Sequence, residues 1–129
     1  MNKLAGVHPK LVARIERVLA AMEALGHPMM VTDGVRTDEE QQRLFAQGRT
    51  APGKIVTRAD GIKAKSNHQL QADGTGHAVD CTFVGPDGKP RWLDTDPWTA
   101  YGACAKALGL KWGGDWPKNK ADRPHVELP

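Results

Sequence analysis

Ala78-Val79-Asp80-Cys81-Thr82-Phe83-Val84 alternates residue by residue, and its two sides differ in chemistry. Successive side chains of an extended strand point to opposite faces. Val79, Cys81 and Phe83 therefore share an apolar face that belongs in a core. Ala78, Asp80 and Thr82 share the other, where Ala78 is too small to block access to the Asp80 carboxylate. The run predicts a strand buried on one side and carrying a usable carboxylate on the other.

Two further pieces supply partners. Ser66-Asn67-His68 lies upstream, across a short polar insert, and offers an imidazole. Near the C-terminus, Pro124-His125-Val126-Glu127-Leu128 reads as a final strand, with His125 and Glu127 on one face and Val126 and Leu128 turned to the core. Two strands that each present a ligand can converge on one ion, with His68 as the third. Two neutral imidazoles and one carboxylate, with a fourth position left to solvent, make a hydrolytic zinc set. Such a reaction also needs a group to take a proton and return it to the leaving amine. Asp122, three residues before His125, suits that task without being a ligand. Arg36 is the candidate for the developing oxyanion, a contribution of about 3–4 kcal/mol in comparable sites. Its plainer reading is a surface ion pair. His77 competes with His68, although strand alternation puts His77 opposite Asp80. No HExxH or CxxC pattern ties these ligands together, so spacing alone does not establish a metal site.

The rest of the chain reads as a frame. From His8 to Leu25, Leu11, Val12, Ile15, Val18, Leu19, Met22 and Leu25 recur at helical spacing, with Pro9 in the first turn and Gly26 as the stop. Met29–Thr32 predicts a strand entering the Asp33-Gly34 turn. Thr37 caps a second helix that runs to about Gln47, with Glu40 completing a capping box. Residues 49–65 show no periodicity and read as a long loop. Gly85–Pro90 is a hairpin tip, Pro97 opens a helix ending at Gly109, and Lys111–Trp116 reads as a short strand. Helices and strands mix without regular alternation, which predicts an α+β fold with a small, mostly antiparallel sheet flanked by helices.

The 129 residues suit one domain, 1–129, and the formal charge of +3 is a mild excess. Arg43, Arg49, Lys54, Arg58, Lys63 and Lys65 against Asp60 form a basic strip suited either to an anionic polymer or to solvation alone. No nucleic-acid motif accompanies the charge, so a nucleic-acid partner is not expected. Cys81 and Cys104 form neither a metal pair nor a redox motif, and two small buried thiols are expected, with a disulfide left open. The first apolar stretch carries Lys10, Arg14, Glu16 and Arg17, unlike a secretory signal, and no run suggests a membrane span.

Ser66-x-His68, then Gly76-x-Ala78-x-Asp80, Trp112-Gly113-Gly114-Asp115-Trp116 and Asp122-x-x-His125, in that order, resemble the M15 zinc peptidases. That family includes D-alanyl-D-alanine carboxypeptidases and the L-alanyl-D-glutamate endopeptidases of phage endolysins. The resemblance spans about residues 30–128, and Gly34-Val35-Arg36-Thr37 with Gln41, Leu44 and Gly48-Arg49-Thr50 looks like the family's substrate-side segment. It implies a Hedgehog/DD-peptidase-like fold and one Zn2+ ion on His68, Asp80 and His125. Asp122 would be the base, Arg36 the carbonyl-stabilising cation, and Ser66, Gln41 and Trp116 substrate contacts, with Glu127 behind His125. The Trp-Gly-Gly-Asp-Trp piece and an Asp base look most like the endolysin branch. The implied protein is a monomeric lysin held in the cytoplasm of a bacterial host until released to the wall, where it cuts peptidoglycan stem peptides. Two alternatives stay open, a D,D-carboxypeptidase and a non-catalytic wall-binding module. His68 and Asp80 stand twelve positions apart, wider than is usual in the family, and the excess falls within Gln69–Thr75.

Overall fold

A computed structural model describes residues 3–129; residues 1 and 2 of the expected 1–129 domain lie outside the described residues. Three helices and five strands follow in the order α1 (Pro9–Ala24), β1 (Met29–Asp33), α2 (Asp38–Ala46), β2 (Ala78–Val84), β3 (Pro90–Arg91), α3 (Trp98–Ala107), β4 (Lys111–Trp112) and β5 (His125–Glu127).

β2 is the hub of the sheet. One edge pairs with β1 from Met29↔Phe83 to Asp33↔Asp80, with an irregularity between Val31 and Asp33. The other edge is shared: β5 takes residues 78–80 and β3 takes residues 83–84. β4 closes the far side on β5, giving the order β1-β2-β5-β4, and every pair is antiparallel. The α+β expectation is what forms.

The apolar face of β2 forms as alternation predicts, while two residues of the other face, Ala78 and Thr82, are also buried. Val79, Cys81 and Phe83 join Leu11, Ile15, Val18 and Met22 of α1, Trp98, Tyr101 and Ala105 of α3, and Val126 in one core. Burying such side chains stabilises the fold by about 1.5–3 kcal/mol each. Thr82 was expected on the polar face but is fully buried, because its hydroxyl donates to the Arg91 carbonyl at 2.6 Å under the β3 hairpin. His8 caps α1, its Nδ1 accepting from the Lys10 amide at 3.0 Å. At α2 the full Thr37–Glu40 capping box forms. Residues 49–65 contain no helix or strand, as expected.

The expected Lys111–Trp116 strand is shorter. Only Lys111–Trp112 pairs, and Gly113–Asp115 turn as a 3-10 segment. The reason is local packing: a Cβ on Gly113 would lie 2.2 Å from the Asp122 carbonyl oxygen, so the chain leaves the sheet to approach that loop. Likewise β5 is confined to His125–Glu127, within the expected residues 124–128. Cys81 and Cys104 are free thiols, the second only half-buried. Burial pushes the Cys81 thiol up to about 12, which makes it unreactive. Among the described residues no helix is long and apolar enough to cross a membrane.

Trp112 links this frame to the C-terminal loop, since its Nε1 donates to the Arg123 carbonyl at 2.7 Å. Gly102 on α3 faces the same ring, and a Cβ there would sit 2.3 Å from its carbons. Gly102→Ala gains about 0.5–1 kcal/mol of helix propensity but loses about 1–3 kcal/mol to overpacking. A lower urea midpoint with an unchanged slope is therefore expected.

Candidate metal centre and cleft

Strand register places the first two functional side chains. Asp80 and His125 are direct cross-strand partners in the β2–β5 pair, and Asp80 Oδ1 lies 3.4 Å from His125 Nδ1. His68 arrives from the loop before β2, with its Nε2 3.3 Å from the same oxygen. The two rings meet nearly edge-on, 5.1 Å between centroids. One donor atom from each of the three residues lies within 4.8 Å of the others.

The second nitrogen of each imidazole is already engaged. His68 Nδ1 faces the Gly34 carbonyl at 2.9 Å, so that nitrogen carries the proton and Nε2 carries the lone pair. His125 Nε2 donates to Glu127 Oε1 at 2.7 Å, which leaves Nδ1 free. Glu127 is held in turn by Asn67, whose Nδ2 donates to Oε2 at 2.7 Å. Carboxylate and carbonyl partners of this kind set the tautomer and orientation of metal-binding histidines.

His68 Nε2 and Asp80 Oδ1 are buried and have no hydrogen-bond partner. A buried polar atom left unpaired costs about 1–3 kcal/mol, and two such atoms aimed at one point fit a bound cation. The donor set of two imidazoles and a carboxylate fits Zn2+. Electrostatics agree. Burial opposes the charge on Asp80, but the His125 and His68 imidazoles outweigh it and hold the carboxyl well below the usual range. Burial also opposes a charge on His125, yet Asp80 and Glu127 push it up to about 9. The pocket is poised for positive charge.

Around this centre an open cleft of about 690 Å³ is lined by Arg36, Ser66, Trp116, Asp122 and the segment Ile55–Ala59, among others. Asp122 stands 4.0 Å from His125 Nδ1, half-exposed to the cleft. Burial, and then the charge on Asp80, raises its pKa against the opposing pull of His125, His68 and Arg36. Arg36 is both the ion pair of the plainer reading and a cleft residue: its Nη2 bonds Asp33 at 2.7 Å and lies 3.8 Å from Asp80 Oδ2. Trp116 packs against the His125 ring at 4.8 Å. The Ser66 hydroxyl accepts from the His68 amide at 3.2 Å.

One expectation changes in place. Gln41, expected to touch substrate, is fully buried behind the cleft. His77 is outside the centre, its Nε2 bonded to Asp73 at 2.8 Å. The insert closes on itself, Gln71 N donating to Thr75 O at 2.8 Å, and residues 69–75 do not line the cleft. Asn67, Asp33 and Gln69 escaped the sequence reading. Asn67 reaches a residue sixty positions away, and only its place between Ser66 and His68 hinted at it.

Residues 60–128 match the family model described as D-alanyl-D-alanine carboxypeptidase, of the M15 peptidases. The chain is 33% identical to the peptidoglycan L-alanyl-D-glutamate endopeptidase CwlK of Bacillus subtilis (strain 168), over 95% of this chain and 73% of that protein. Among solved structures it resembles the L-Ala D-Glu endopeptidase ChiX of Serratia marcescens, with TM-score 0.65 and 29% identity over 98% of this chain and 84% of that one. The L,D-carboxypeptidase DacB of Streptococcus pneumoniae shares the fold at TM-score 0.64 and 22% identity, over 99% and 69% of the two chains.

Glu127→Gln should weaken Zn2+ binding about 10–100-fold, because the carboxylate that orients His125 becomes neutral. Competition with a chromogenic chelator reads the change. An affinity equal to wild type would mean that Glu127 does not support the centre.

Proposed function

Because the chain belongs to the M15 peptidase family, we propose that it is a zinc-dependent peptidoglycan endopeptidase cutting the stem peptide between L-alanine and D-glutamate. The observation that carries this reading is the convergence of His68 Nε2, Asp80 Oδ1 and His125 Nδ1 on one point, with no hydrogen bond to either of the first two. The likeness to CwlK and ChiX, both named as L-alanyl-D-glutamate endopeptidases, supports the choice of bond.

These three residues would hold a single zinc ion, which supplies a Lewis acid for the scissile carbonyl and an acidified water when bound. The remaining steps belong to the chain's own side chains. Asp122 takes a proton from the attacking water and delivers it to the departing D-glutamate nitrogen. It reaches both positions because it stands at the cleft edge rather than in the ligand set. Arg36 faces the same space and balances the negative charge that develops on the carbonyl oxygen. Trp116, Ser66 and the segment Ile55–Ala59 line the cleft beside the centre and would contact the peptide.

Mass spectrometry of digested wall fragments tests the reading. New D-glutamate amino termini are the expected product. Free D-alanine would support a carboxypeptidase instead, and intact fragments with zinc bound would leave a binding module. Asp122→Ala should lower kcat by about 10²–10⁴-fold while zinc content measured by atomic emission stays at the wild-type value. Undiminished turnover removes it as the base. Arg36→Lys should cost about 10²–10³-fold in kcat, since a lysine cannot reproduce the guanidinium's fixed fork.

A further inference from the structure

The wall built by Ile55–Ala59 belongs to a loop with no ladder of its own. It is held from behind. Gln41 on α2 is fully buried, and both ends of its carboxamide are used. Oε1 accepts from Arg36 Nη1 at 2.8 Å. Nε2 donates to the Ala59 carbonyl at 2.7 Å and to the Thr57 hydroxyl at 3.1 Å. The loop also packs directly on this side chain: a Cβ on Gly61 would meet Gln41 Cγ at 3.1 Å. On its other flank the Arg36 guanidinium is gripped by Asp33, through Nε at 3.1 Å and Nη2 at 2.7 Å.

We propose that Gln41 is a positioning residue for stem-peptide cleavage. One buried carboxamide sets the Arg36 guanidinium and the peptide-facing wall in a common register. This inference rests on the endopeptidase reading. The chemistry asks for an amide: an acceptor is needed toward the cation, and two donors are needed toward a hydroxyl and a carbonyl. Glutamate keeps the acceptor but turns an oxygen toward the Ala59 carbonyl. Leucine supplies neither. The buried position makes every lost bond costly, because water cannot replace it.

The test combines kinetics on a stem peptide with backbone hydrogen exchange. Gln41→Leu should lower kcat/KM about 100-fold, the scale expected when a misplacement remote from the chemistry disturbs the reacting geometry. Zinc content should not change. Gln41→Glu keeps the Arg36 bond and should raise KM more than it lowers kcat. Thr57→Val removes one loop contact and should raise KM alone. Combining Gln41→Leu with Arg36→Lys should cost clearly less than the product of the two single losses, since the part of the Gln41 effect that acts through Arg36 is already gone. Exchange at residues 55–61 should quicken in both Gln41 variants while α1 is unaffected.

Losses that multiply in the double variant, or exchange equal to wild type, overturn the proposal. If Gln41→Leu fails to fold, the other two variants decide, and wild-type KM in both overturns it as well. Wild-type protein that leaves the stem peptide intact sinks the endopeptidase reading instead, and the exchange arm still decides whether Gln41 holds the wall.

Discussion

Asp80 on β2 and His125 on β5 face each other across an antiparallel pair. The side-chain period of two makes that register decisive. A slip of one residue would turn the Asp80 carboxylate into the core and bring Val79 or Cys81 to the cleft. Apolar burial on one face therefore fixes ligand geometry on the other. The same face division carries Val126 inward and Glu127 outward beside His125, so the hydrogen bond that orients the imidazole follows from the register too.

Around this pair the polar groups are connected rather than scattered. Asn67 holds Glu127, Glu127 holds His125, Gly34 holds His68, and Asp33 with Gln41 holds Arg36. Asp33 and Gly34 come from the turn that ends β1, Gln41 from α2, and Asn67 from the loop that carries His68. Among the buried side-chain atoms of the described residues, His68 Nε2 and Asp80 Oδ1, which point at the centre, are the ones without a hydrogen-bond partner. In a low-dielectric pocket such a pattern is expensive without a cation and stable with one. The tolerance of the insert has the same origin. Gln71, Gly74 and Thr75 close a turn on themselves and Gly76 pairs with Val7, while Gln69 at the start of the insert stays buried against Asp38 and Gly61, so His68 and Asp80 keep their places.

Much of this was legible from residues alone. The helix stripe of Leu11, Ile15, Val18 and Met22, the Thr37–Glu40 box and the Ala78–Val84 strand with its apolar face are local patterns, and each forms as read, apart from the burial of Ala78 and Thr82 on the strand's other face. Lys111–Trp116 was misjudged because Gly113 answers to a carbonyl nine positions away in sequence rather than to its neighbours. Gln41 was misjudged for the same kind of reason. A glutamine near an arginine in sequence looks available to substrate, and only the return of Thr57 and Ala59 over it closes it off.

Periodicity and residue chemistry, which are local and read along the chain, determined the elements, the apolar faces and the donor types that make a zinc centre plausible. The tertiary structure decided which nitrogen of each histidine is free, what holds Arg36, and which wall faces a peptide. Those choices depend on directional hydrogen bonds, which have no periodic signature whether the partner is distant, as Gly34 is from His68, or near, as Asp33 is to Arg36.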